Sequence, residues 1–426
     1  MHLERYTLDN GLRVVLDEDH AAPLVAINLW YHVGSKNERP GRTGFAHLFE
    51  HMLFSGSQHV GNNEHFRHVQ SVGGTLNGST TFDRTNYYET LPSHHLELGL
   101  WLESDRQGFF LPAITQEKFD IQREVVKEER RLRYENAPYG LALEQLLGLA
   151  YDPDYPYHWP TIGSMADLEA ATLEDVTSFF RTWYVPNNAV LTLTGDFDQS
   201  EARRLIDRYF AEIPRAADPP RFEIERLPLQ GERRGESHSS VQFPRVYRLY
   251  HLPPFGASEW IAGDLLSYVL SSGRASRLER ALVYEKRIAQ DVGSFLLQTE
   301  ATGMMIFVAT AKENVDPALL EEAMDEEIQE LIHGGIREEE LTRARNQAET
   351  GYARELESFA SRADLLSTFE TFHGDASRVH AFVERYRDVS SEQLRSLAER
   401  CLRAENRATL RVMPQPGLAT VGVVAQ

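Results

Sequence analysis

Two histidines and a glutamate crowd one short stretch of the chain, Gly44-Phe45-Ala46-His47-Leu48-Phe49-Glu50-His51-Met52-Leu53-Phe54. Four positions along a helix are a little over one turn, so His47 and His51 stack on one face and Glu50 projects beside them. Two imidazoles at that spacing can share a divalent metal, and an adjacent carboxylate can take a proton from water. This is a minimal set for metal-assisted hydrolysis. With 16 histidines in 426 residues, a His-x-x-Glu-His triplet has an appreciable chance background, so its surroundings must decide.

A catalytic zinc takes three protein ligands and keeps one position open. The stretch from Phe119 to Leu132 offers Glu124, Glu128 and Glu129. If Phe119, Ile121, Val125, Val126 and Leu132 mark its apolar face, Glu129 falls near the middle of that face, Glu128 at its edge and Glu124 outside it. An inward carboxylate needs a partner, because burying it unpaired is costly. Glu129 is therefore the expected third ligand, with one zinc per chain, and Glu50 the expected general base. His65 and His68, also on one helix face, read as surface residues.

The elements that must carry these groups follow from local pattern. Tyr6-Thr7-Leu8 and Leu12-Arg13-Val14-Val15-Leu16 flank Asp9-Asn10-Gly11, a hairpin signal. Leu24 to Val33 is β-branched and aromatic and predicts an inner strand, and the motif helix ends near Ser55-Gly56. A short helix capped by Asn62 or Asn63 and stopped at Gly73-Gly74 comes next, then strands between Leu76 and Leu91, helices to about Leu149, a helix from Leu173 to Trp183 and a strand from Ala189 to Gly195. Arg215 to Arg234 holds Pro219-Pro220 and Pro228 among many charges and reads as a linker.

Beyond the linker the chain repeats itself. Ala262 to Gly273 can be laid over the motif helix, and Ser391 through Val412 over the helix and strand from Leu173 to Leu193, at nearly one offset. Asp264, Ser267 and Tyr268 then stand where His47, Glu50 and His51 stand, so the second half cannot hold the same metal. The expected fold is α+β: two similar α/β domains, with mainly antiparallel sheets packed by helices, at 1–214 and 236–426 around a linker at 215–235.

The bulk properties agree with an ordinary globular protein: 42% hydrophobic, 25% charged. A net charge of -20 argues against nucleic acid and anionic membrane surfaces as partners. The lone Cys401 excludes an intrachain disulfide framework. No run reaches the ~20 apolar residues of a membrane helix. Strand pattern begins within a few residues of Met1, so the expected location is cytoplasmic, although a chain trimmed after export would read the same.

The sequence resembles the pitrilysin, insulinase and mitochondrial processing peptidase family, whose inverted zinc motif is His-x-x-Glu-His. The resemblance extends to Gly34-Ser35 with Glu38, Gly73-Gly74 with Asn77, Thr85-Asn86-Tyr87-Tyr88, Pro160-Thr161-Ile162-Gly163-Ser164 and Pro186-Asn187-Asn188. The family's third ligand closes a Glu-Arg-x-Val-x-x-x-Glu pattern, here Gln122 to Glu129, which again selects Glu129 and puts Gln122 where the family has a carboxylate. The resemblance implies a zinc metalloendopeptidase that binds peptide as an added strand near Asn77 and Gly78, inside a chamber closed by a second pair of domains. It also implies an Arg and a Tyr in the second domain, at places where this chain has Val283 and Gln290. The expected partner is thus a related subunit that supplies the pair, with a homodimer otherwise. The alternative is a non-proteolytic or partner-dependent assembly subunit.

Overall fold

Six strands form the first sheet of the computed structural model, which describes residues 2–221, 224 and 229–415. They are β1 (His2–Thr7), β2 (Arg13–Glu18), β3 (Leu24–Tyr31), β4 (Thr75–Thr80), β5 (Thr85–Pro92) and β6 (Ala189–Gly195), in the order β1-β2-β6-β3-β5-β4. Only β2 and β6 run parallel. The expected hairpin joins β1 to β2, with Gly11 in the left-handed region and Asn10 Nδ2 donating to the carbonyls of Phe210 and Ile213. Strand β3 is buried along all but its first residue.

The second sheet contains β7 (Arg233–Ser239), β8 (Arg245–Leu252), β9 (Ala289–Leu297), β10 (Gly303–Ala311) and β11 (Arg407–Pro414), ordered β7-β11-β8-β10-β9. Only β7 and β11 are parallel. Apart from β1, this repeats the first sheet strand for strand, and the repeat reaches single hydrogen bonds. Asn188 Nδ2 bonds the carbonyls of Trp183 and His32, and Asn406 Nδ2 bonds those of Cys401 and His251. Each asparagine follows a helix with a capping box, Thr172 before Leu173–Trp183 and Ser390 before Ser391–Cys401.

The chain gathers into two compact units that exchange segments: Met1–Arg130, Trp159–Glu223 and Ala353–Ala381 form one, and Arg131–His158, Ile224–Tyr352 and Phe382–Gln426 the other. The sequence reading kept each segment in its own half. Within the first unit, helix Phe359–His373 lies on β3 and β6, where Trp30 Nε1 and Asn86 Nδ2 donate to Asp364 Oδ1 at 2.8 and 3.1 Å. Arg362 reaches Asp17 and Asp19, each at 2.8 Å. Within the second, helix Ala142–Ala150 lies on β7, β8 and β11. Arg233 to Gly235, expected in the linker, already belong to β7. Residues 222–223 and 225–228 of that linker, and 416–426 of the expected second domain, lie outside the described residues. No helix among the described residues is long and apolar enough to cross a membrane.

Candidate metal centre

The motif helix is α1 (Phe45–Met52). Its packed face carries Phe45, Leu48, Phe49 and Met52, and Phe49 stacks on Phe179, Phe180 and Tyr184 with ring centroids 5.6, 6.0 and 5.1 Å away. Burial of these four side chains fixes the rotation of the helix. His47, Glu50 and His51 are left on the partly open face.

The start of α1 is held at several points. Glu38 accepts from the backbone N–H of Gly44 at 2.9 Å and of Ala46 at 2.8 Å, satisfying donors that a helix N-terminus leaves over. Burial pushes the Glu38 carboxyl up to about 8 against the pull of those bonds. Gly44 (φ 87) crosses Gly163 (φ 71), where a Cβ on Gly163 would come 2.4 Å from the Gly44 backbone. Only glycine fits both places. Arg130 Nη1 donates to the Gly163 carbonyl at 2.6 Å. The Pro160–Ser164 loop is thus the joint between α1 and the end of α4 (Gln116–Arg130).

Glu129, one residue before that joint, is delivered to the two histidines. His51 Nε2 lies 3.2 Å and His47 Nε2 3.8 Å from Glu129 Oε2, and one ligand atom from each residue falls within 4.8 Å of the other two. Two imidazole nitrogens and a carboxylate oxygen this close suit a small divalent cation such as zinc. Glu124 is turned out and paired with Lys127 at 3.0 Å. The apolar face used to rank the glutamates needs correcting: Phe119 and Val126 are buried, but Ile121, Val125 and Leu132 are exposed. Phe119, Val126, Lys127 and Arg130 form the packed face of α4 instead.

Glu50 faces β4. Thr80 Oγ1 donates to Glu50 Oε2 at 2.6 Å, and a Cβ at Gly78 would stand 3.2 Å from Glu50 Oε1. Burial raises the Glu50 carboxyl above the usual range, while Thr80, His51 and Arg84 hold it down. Strand β4 is the free edge of its sheet. Thr81 N–H bonds the Arg84 carbonyl at 2.8 Å, and by antiparallel alternation the outward backbone groups are those of Leu76, Gly78 and Thr80. Asn77 is exposed and its Oδ1 accepts from Gly78 N–H at 2.9 Å. The sequence named Asn77 and Gly78 here; it missed Thr80, whose only signal was its place two residues after Gly78, on the same strand face.

A second acidic cluster lies on α2 (Glu64–Ser71), β5 and α3 (Leu96–Phe109). His65, expected on the surface, is buried there with Glu89 and Glu103, and Asn63 makes no side-chain cap for α2. Burial pushes both carboxyls up and the imidazole down. The cation position is already taken. Arg106 Nη2 lies 2.9 and 3.0 Å from the two His65 ring nitrogens, and its guanidinium is sandwiched between Phe54 and Tyr87 at 4.6 and 4.4 Å. In the second unit Asp264, at the place of His47, accepts from the Tyr386 hydroxyl at 2.6 Å.

Among the described residues, these features define a two-unit α+β chain with a candidate metal centre on the helix beside an edge strand. Residues 13–152 match the family model described as insulinase (peptidase family M16), and residues 170–348 match that of the peptidase M16 inactive domain. The chain is 30% identical over 370 residues to a zinc protease, PqqE, of Helicobacter pylori, covering 86% of this chain and 83% of that one. It is 25% identical over 406 residues to the uncharacterized zinc protease YmxG of Bacillus subtilis, covering 93% and 95%. The crystal structure of a protease from Helicobacter pylori superposes with a TM-score of 0.92 at 27% identity, over 97% of this chain and 99% of that one. The chain belongs to the pitrilysin and insulinase peptidase family M16.

Proposed function

We propose that this chain is a zinc-dependent endopeptidase, with His47, His51 and Glu129 as the metal ligands and Glu50 as the general base. The observation that carries the reading is the gathering of both histidines and Glu129 beside an edge strand that Glu50 also faces. A zinc ion held by that set supplies Lewis-acid chemistry, polarising a peptide carbonyl and acidifying water. An extended peptide pairs with the outward groups of Leu76, Gly78 and Thr80, and Asn77 releases the Gly78 N–H to it. Backbone pairing reads no side chains, which suits short or unfolded peptides of varied sequence. Glu50 takes the proton of the attacking water and hands it to the departing amine.

The second unit contributes no metal ligands in this reading, and the match to the inactive-domain description, over residues 170–348, includes much of that unit. Where the family resemblance puts an Arg and a Tyr for substrate, Val283 and Gln290 stand, and Gln290 Nε2 is bonded to the Ala311 carbonyl at 2.9 Å. That favours a working form completed by a related subunit, with a homodimer as the simpler assembly. The test is Glu50→Gln in the full chain: zinc content unchanged, and hydrolysis of an unstructured peptide reduced at least about a hundredfold. Substantial residual turnover in that variant would contradict the role of Glu50.

A further inference from the structure

Resting on that reading of Glu50, we propose that Thr80 is a positioning residue for its carboxylate and that Gly78 keeps the space into which the free oxygen points. A glutamate side chain turns about three bonds, and Glu50 stands on the partly open face of α1, outside the apolar packing that fixes the rest of the helix. A base must nevertheless hold one direction within a few tenths of an ångström to meet a water at the right angle. Apolar packing cannot supply that direction; a short hydrogen bond can.

Strand β4 presents residues 76, 78 and 80 to α1 and residues 75, 77 and 79 to the opposite face. On the α1 side, Thr80 Oγ1 fixes Glu50 Oε2 at 2.6 Å. Two residues back, a Cβ on Gly78 would meet Glu50 Cγ at 3.0 Å, Phe54 Cε2 at 3.1 Å and Glu50 Oε1 at 3.2 Å, so a side chain there would crowd both the Glu50 side chain and the Phe54 ring by a few tenths of an ångström. Together the two positions hold one oxygen and leave the other free. Threonine suits the task because its branched Cβ restricts χ1, which aims the hydroxyl.

An edge strand is a loose platform unless something ties it down. On its other face Ser79 Oγ donates to Asn86 Oδ1 at 2.7 Å, Asn86 Nδ2 donates to Asp364 Oδ1 at 3.1 Å, and Arg84 Nη1 donates to the Ser79 carbonyl at 2.9 Å. Helix Phe359–His373 thus steadies, through Asp364, the strand that aims the base. The free edge stays open to peptide.

The experiment compares Thr80→Val, which keeps shape and removes the donor, with Thr80→Ser, which keeps the donor, in the zinc-loaded full chain. Thr80→Val should lower kcat about 10- to 100-fold, with KM and zinc content within about twofold of wild type, and Thr80→Ser should recover to within about threefold. A crystal structure of Thr80→Val should show the Glu50 carboxylate displaced from its place beside Gly78. Wild-type kcat in Thr80→Val, or a Glu50 carboxylate that has not moved, would overturn the proposal. Failure of the peptidase reading shows separately, as turnover retained in Glu50→Gln, and the crystal comparison judges Thr80 in that case too.

Discussion

At the scale of single residues, chemistry rests on which atoms meet, and three meet here: His47 Nε2, His51 Nε2 and Glu129 Oε2. Glu128 stands next to Glu129 on the chain but turns to solvent, so the neighbours serve as a matched pair. Glu129→Gln should lose zinc affinity by more than the about 10- to 100-fold that removing an outer-shell partner costs, while Glu128→Gln keeps one zinc per chain; equal retention in both would reject Glu129 as a ligand. The histidine pair and Glu50 were legible because their spacing coincides with the helical period. His65 was not, since the residues that bury it, Glu89, Glu103 and Arg106, come from other elements. Thr80 was hidden for a different reason: hydroxyl residues are common in strands, and nothing local distinguishes the one that meets a carboxylate.

At the scale of elements, the centre depends on two helix ends brought to one loop. Glu38 caps the start of α1, and Arg130 ties the end of α4 to Gly163. Because burial raises the folded Glu38 carboxyl to about 8, the folded chain binds a proton that the unfolded chain, with an ordinary carboxyl, releases from pH ~4.5 upward. The stability contributed is whole below that pH and is lost as pH rises towards about 8. Thermal unfolding of Glu38→Gln from pH 5 to 8 should therefore gain on wild type by on the order of 1 kcal/mol per pH unit. A constant difference would mean a carboxylate ionised throughout. The helical period found α4 but misjudged its face. Ile121 and Val125 are apolar yet exposed, and the packed side is completed by Lys127 and Arg130, whose long stems a hydrophobic pattern counts as polar.

At the scale of the whole molecule, the repeat was readable because the helix-to-strand segments Leu173–Leu193 and Ser391–Val412 kept their caps, lengths and offset. The exchange of segments was not. Helix Phe359–His373 has buried positions such as Arg362, Ser367 and Glu370, and their partners Asp17, Thr192 and Arg5 are more than a hundred residues away. Amphipathicity says that a helix is covered, not by which sheet. The repeat also concentrates the proposed chemistry in one unit, since the second half has Asp264, Ser267 and Tyr268 where the first has its triplet. The proposed function then calls for one metal per chain, and the most direct test is to measure zinc content and peptide turnover together on the purified chain, before and after a chelator and on adding zinc back. The account predicts one zinc per chain, loss of zinc and turnover together, and recovery of both at one equivalent, whatever rate the chain reaches without a partner. Undiminished cleavage by the metal-free chain would contradict it, as would recovery that needs no intact His51.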